Sequence, residues 1–192
     1  NAASIANIPV PEKLIKEFVR TLPFSLTNAQ RKSAYEILKD MEKTRPMNRL
    51  LNGDVGSGKT IVATIACLQT INAGYQATIM APTEILARQH FEKIAGLLVP
   101  YPFRVALLTN AYKEIYPHTN FRQDNISDNN GLILKKLPSE LDTSSKVGVG
   151  VNSEILLKKI KNNEEQLVIG THSLIQKDIR FHKLALVIVD EQ

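Results

Sequence analysis

The chain has 192 residues, with 24 Lys and Arg against 19 Asp and Glu, for a formal charge of +5. A surplus that small permits an anionic partner without demanding one, and the lack of Trp with only 6% aromatic residues speaks against a base-stacking single-strand platform. A single cysteine, Cys67, excludes an intrachain disulfide framework or a multi-cysteine zinc site.

Hydrophobic residues at 43% suit one large globular domain. No apolar run approaches the roughly 18 residues of a bilayer span, and the opening NAASIANIPVPEK has neither the basic nor the apolar region of a secretory signal. The expectation is therefore a soluble, cytoplasmic protein with no membrane partner. The chain opens on Asn1 rather than Met and stops at Gln192 directly after an apolar run, which reads as two cuts.

In chain order, Leu14, Ile15, Phe18, Val19 and Leu22 share one helical face, bounded by Pro11 and Pro23. A second helix is expected from Asn28 to Glu42, with Ala34, Ile37, Leu38 and Met41 inward and Thr27 or Asn28 as N-cap. Arg49 to Leu51 reads as a strand leading into a glycine loop, and Thr60 to Ala73 as the helix after it, with Gly74 as its C-terminal stop. Strands are predicted over Gln76–Ala81, Phe103–Leu108, Leu167–Ile169 and Leu184–Val189, and helices over Glu84–Leu98 and Ser153–Lys161. Strands alternating with helices make βαβ units, so the fold class is α/β, a mostly parallel sheet with helices on both faces. From about 111 to 151 the rhythm breaks. Arg122 to Asn130 is too polar to bury much surface, so this stretch reads as an irregular surface insertion. Within it, Val147 to Val151 could form a short strand weakened by its two glycines.

Gly53-Asp54-Val55-Gly56-Ser57-Gly58-Lys59-Thr60 satisfies G-x-x-x-x-G-K-[ST] in full. The glycines let successive backbone N–H groups point at phosphate oxygens, and the helix that follows presents its positive N-terminus. Lys59 can reach the β- and γ-phosphates, and the Thr60 hydroxyl can ligate Mg²⁺. A chance Gly/Ser turn before a lysine would need neither the strand before it nor the helix after it. The other half of an NTP site is a carboxylate at the tip of another buried strand. Asp190 after Leu184–Val189 can hold Mg²⁺, and Glu191 can orient or deprotonate the attacking water.

These segments, with Ala81-Pro-Thr-Glu-Ile-Leu-Ala-Arg-Gln-His90, Gly170-Thr-His-Ser-Leu-Ile-Gln176 and Asp190-Glu-Gln192, stand in the order of superfamily 2 helicase motifs I, Ia, Ib and II. Their wording resembles the RecG-type branch-migration helicases, and Phe24-Ser-Leu-Thr-Asn-Ala-Gln30 resembles that family's adenine-recognition segment. The resemblance implies a RecA-like P-loop domain that binds ATP and Mg²⁺, the first motor of an ATP-dependent helicase that remodels branched DNA. Under it, Gln30 reads the adenine edge, while Thr83, Arg88, Gly170 and Thr171 contact the DNA backbone. Gln192 couples nucleotide state to those contacts. It also divides the chain into a linker helix (1–23) and a motor domain (24–192) cut at motif II, and implies a monomer that meets duplex or branched DNA. His90 and His172 read as packing or hydrogen-bonding residues, since no ligand spacing accompanies them. On the residues alone, Arg88 could equally be a solvated arginine on an amphipathic helix.

Two departures stand out. Thr109-Asn110-Ala111 replaces the family's Thr-Gly-Ser, and the polar insertion follows, where Lys135, Lys136 and Lys146 could touch DNA, although decoration is the simpler reading. A transcription–repair coupling translocase motor is the near alternative. A P-loop NTPase uncoupled from nucleic acid, or an inert interaction domain, are readings of another class. The resemblance further implies a wedge domain and a second motor domain, carrying an arginine finger, elsewhere in the full-length chain. Residues 1–192 alone are accordingly expected to bind ATP weakly and to hydrolyse it negligibly. Clear DNA-stimulated ATPase from this stretch by itself would overturn that expectation.

Overall fold

In the computed structural model, residues 7–116, 148–175 and 178–190 are described. The chain runs through α1 (Glu12–Thr21), α2 (Asn28–Met41), α3 (Lys59–Asn72), β1 (Gln76–Met80), α4 (Glu84–Leu98), β2 (Val105–Leu108), β3 (Lys113–Ile115), β4 (Val149–Gly150), α5 (Ser153–Lys161), β5 (Leu167–Gly170), a 3₁₀ turn (His172–Ile175) and β6 (Leu184–Val189). The strands form one sheet in the order β4-β3-β2-β5-β1-β6. β2, β5, β1 and β6 are parallel, and β3 and β4 add on antiparallel at one side.

β1, β2 and β5 are buried along their whole length, which is why their sequences are nearly unbroken apolar runs. Alternate side chains serve two layers. Ala77, Ile79, Val105, Leu107, Leu167 and Ile169 join Phe18, Leu38, Ile65, Leu68, Phe91 and Ile94 from α1 to α4 on one face. Met80, Ala106, Leu108 and Val168 meet Leu156 and Ile160 of α5 on the other. Cys67 is fully buried in the first layer, where loss of solvation pushes its thiol up to about 12, so it is a small core residue and not a nucleophile. α1 is anchored in the same core through Phe18, whose ring centroid lies 6.0 Å from that of Tyr101.

Polar residues close the sheet's lower end. Buried Gln76, the first residue of β1, donates through Nε2 to the carbonyls of Ile160 and Glu165 at 2.8 Å each. Its Oε1 accepts from the amides of His182 and Lys183 at 2.7 and 3.2 Å. One side chain thus satisfies backbone groups from the end of α5, the approach to β5 and the approach to β6.

Two expectations need correction. Arg49–Leu51 forms no strand. A strand needs a ladder partner, but a hollow separates this segment from β6, and Leu50 is left 89% exposed. Arg49 instead pairs with Glu36 and Asp40 on α2, and the hydrogen bonds from Lys43 and then Arg49 hold the Asp40 carboxyl down at about 2. Secondly, the expected insertion is regular where it meets the domain. Thr109 Oγ1 accepts the Tyr112 amide at 2.9 Å in a tight turn that opens β3, and β4 returns alongside it. β4 is the short strand expected within Val147–Val151, whereas β3, half-buried with a polar centre, lacked an apolar signal. Residues 117–147, with Lys135, Lys136 and Lys146, lie outside the described residues.

Glu165 is only 1% exposed, and its Oε2 has no hydrogen-bond partner. Burial pushes its carboxyl up to about 7, against the opposing pull of Lys159 and Arg104. The folded state therefore holds a proton that the unfolded chain releases near 4.5. That contribution is complete below about pH 4.5 and is lost as pH rises through 7. Glu165→Gln is expected to gain stability over wild type from pH 5 to pH 8, by up to about 3 kcal/mol. Parallel melting curves with a pH-independent difference would contradict this.

Candidate functional site

The phosphate loop follows α2 in the chain and runs directly into α3 at Lys59. Ser57 N donates to Asp54 O at 3.1 Å, and Ile61 N to Gly58 O at 3.1 Å. Gly58 is the N-cap of α3 at φ +84°, a left-handed conformation that favours glycine, and a Cβ there would displace the Gln30 side-chain amide, which would lie 2.2 Å away. Lys59 bends back into the loop and donates to the carbonyls of Gly53 at 2.6 Å and Asp54 at 3.0 Å. Its ammonium occupies the loop's mouth, held by neutral acceptors that an anionic phosphate outcompetes.

Gln30 comes to the same loop from α2. Thr27 and Gln30 form a reciprocal capping box, with the Thr27 amide donating to Gln30 Oε1 at 2.9 Å and the Gln30 amide to Thr27 Oγ1 at 3.2 Å. Gln30 Nε2 then donates to Ser57 O at 2.8 Å. The residue expected to read a base is also the tie between the start of α2 and the phosphate loop. Arg31, next to Gln30 in the chain, lines a hollow of about 380 Å³ with Arg20 and Phe24 among others, and Phe24 is 46% exposed. The sequence alone assigns Phe24 no role, because an exposed aromatic cannot be told from a buried one by pattern.

Asp190 follows β6, and its amide donates to Met80 O at 2.8 Å, which carries the sheet register one residue past the strand. A larger hollow of about 580 Å³ is lined by Gly56, Gly58, Lys59, Thr60 and Asp190, together with His90 and Lys93 among others. Phosphate donors, a hydroxyl and a carboxylate therefore share one cavity. Thr60 and Asp190 offer hard oxygen ligands, a donor set that suits Mg²⁺ shared with substrate phosphates and water. Among the described residues there is no group of three or more His, Cys, Asp or Glu that could hold a metal ion. Glu191 and Gln192 lie outside the described residues.

The four residues expected at DNA sit around the carboxyl ends of the adjacent strands β1 and β5. Thr83 caps α4, its hydroxyl accepting the Leu86 amide at 3.3 Å. Arg88 pairs with Glu92 and Glu114 at 3.1 and 3.3 Å and lies 4.7 Å over the Tyr112 ring, so it is engaged within the chain rather than free in solvent. Gly170 lies between Met80 and Leu108, and a Cβ there would come 2.1 Å from the Leu108 carbonyl oxygen. The close approach of β2 accounts for this glycine without any ligand. Thr171 is buried, its hydroxyl 3.2 Å from that of Ser173. His172 is exposed, whereas His90 bonds Asp190, its Nε2 lying 2.8 Å from Oδ2.

Known proteins can be compared with this arrangement. Residues 27–127 match the DEAD/DEAH box helicase model. The chain is 40% identical over 180 residues to the ATP-dependent DNA helicase RecG of Thermotoga maritima, which takes in 94% of this chain and 18% of that protein. It is 38% identical over 185 residues to RecG of Aquifex aeolicus, covering 96% of this chain and 19% of that one. A solved structure of RecG bound to a three-way DNA junction superposes with a TM-score of 0.71 at 37% identity, over 97% of this chain and 21% of that one. The chain thus spans about a fifth of the curated relatives it matches. With a phosphate loop and a strand-end aspartate on one cavity, and the family's sequence pattern across more than half its length, the chain belongs to the DEAD/DEAH box helicases.

Proposed function

We propose that this chain is the ATP-binding motor domain of an ATP-dependent DNA helicase that remodels branched DNA in repair and recombination. The observation that carries the reading is the shared cavity, in which Lys59, Thr60 and Asp190 line one space of about 580 Å³. The similarity to RecG, including a structure on a three-way junction, supports the choice of branched DNA. Residues 24–192 would form the motor domain, with 1–23 as its linker helix. A second motor domain and a wedge domain of the same chain complete the machine, which works as a cytoplasmic monomer. No described helix is long and apolar enough to cross a membrane.

In this mechanism the triphosphate draws Lys59 off the Gly53 and Asp54 carbonyls and takes the N–H groups around Gly56 to Lys59 as its cradle. Gln30 presents its amide to the base edge, and the exposed Phe24 ring offers a face for the base to stack on. Thr60 and Asp190 would hold Mg²⁺, which supplies Lewis-acid stabilisation of the phosphoryl oxygens. Glu191 orients the attacking water. On the DNA side, Arg88 exchanges its carboxylate partners Glu92 and Glu114 for a backbone phosphate, an exchange between like oxygen acceptors. Thr83, Gly170 and Thr171 complete the contact.

The test is ATP hydrolysis by the full-length protein with and without a three-way junction. Stimulation by the junction is expected, with Lys59→Ala lowering kcat on the order of 100-fold. Gln30→Ala leaves the Thr27 amide and the Ser57 carbonyl without their partner and should raise KM for ATP about tenfold. Hydrolysis indifferent to any DNA would replace this reading with an uncoupled NTPase.

A further inference from the structure

Asp190 receives a hydrogen bond from a residue that no part of the reading above uses. His90 sits in the second turn of α4, flanked by Ala87, Phe91 and Ile94, all fully buried. Its Nε2 lies 2.8 Å from Asp190 Oδ2, with the two side chains 16% and 21% exposed. An ionised carboxylate only accepts, so Nε2 carries the proton and donates. Both partners stand on fixed backbone. The Asp190 amide is bonded to Met80 O at 2.8 Å, and α4 is packed into the core along the side next to His90. Both residues line the hollow that also takes in Lys59 and Thr60.

A carboxylate at a strand end has two free side-chain torsions, and the backbone bond to Met80 fixes neither. The His90 bond consumes one oxygen and with it the rotational freedom of the group, leaving the other oxygen for what enters the hollow. We infer that His90 is a positioning residue for Asp190, a side chain supplied by α4 that orients the aspartate toward a nucleotide-bound divalent cation. The inference rests on the hollow being the ATP site. It also links two parts of the chain that share no sequence motif, since the helix capped by Thr83 reaches across β1 to the carboxylate after β6.

The bond can be tested without relying on turnover. In the full-length protein, the affinity for a fluorescent mant-labelled, non-hydrolysable ATP analogue is measured in EDTA and in Mg²⁺, for wild type, His90→Phe, His90→Gln and Lys59→Ala. His90→Phe keeps a ring in the α4 packing and removes the donor. The gain in affinity that Mg²⁺ adds should fall about 10-fold, the scale at which partners of metal ligands act. His90→Gln, which retains an N–H donor, should recover most of that gain. If His90 merely packs, His90→Phe will keep the Mg²⁺ gain or lose affinity equally in both buffers, and either result overturns the inference. So does failure of His90→Gln to recover the gain. If wild type binds no analogue, or if Lys59→Ala binds as wild type does, the hollow is not the ATP site and both readings fall. If wild type binds, Lys59→Ala does not, and His90→Phe matches wild type, only the role of His90 falls.

Discussion

The register of β1 is the constraint on which the rest of the structure depends. β1 is held between β5 and β6, and at its carboxyl end Met80 O accepts the Asp190 amide while Ala81 N donates to Gly170 O. Those two bonds bring motifs separated by about a hundred residues into one row at one edge of the sheet. β1 is packed on both faces, with Ile79 in one layer and Met80 in the other, so a shift of one residue would exchange the side chains that the two layers receive and misfit both. The buried amide of Gln76 pins the opposite end of the strand, where α5, the approach to β5 and the approach to β6 meet.

At the site itself, polar groups are satisfied within the chain by partners that a ligand could replace. Lys59 rests on two carbonyls, and Arg88 rests on two carboxylates and an aromatic face. Such holding bonds keep long cationic side chains near their working positions at modest entropic cost. Gln30 and His90 differ in kind. Each bonds a group from a different part of the chain, Ser57 O for Gln30 and the Asp190 carboxylate for His90, and so fixes a tertiary distance rather than parking a charge.

Much of this was legible in advance, and for identifiable reasons. Apolar runs in β1, β2 and β5 and helical periodicity in α1 to α5 follow from burial on two faces or on one, which composition records directly. Arg49–Leu51 carries apolar residues without forming a strand, because no described strand pairs with it as a ladder partner. β3 leaves no apolar mark because pairing between β2 and the edge strand β4 demands backbone bonds and little hydrophobicity. The DNA-side residues were drawn from motif order, which carries no information on whether Arg88 or Thr171 already has partners inside the chain.

By itself the sequence determined what is local. The glycine pattern that shapes the phosphate loop, an N-cap at Thr27 or Asn28, most of the order of strands and helices and the carboxylate after a buried strand all arise from bonds spanning a few residues or from periodicity. Only the tertiary structure decided that Asp190 lines the same hollow as Lys59, that Gln30 is spent partly on Ser57, and that His90 is Asp190's partner across 100 positions of chain. The physical reason is that side-chain bonds of that separation depend on the sheet's parallel register and on the face α4 presents to it. Neither leaves a periodic mark on the residues involved.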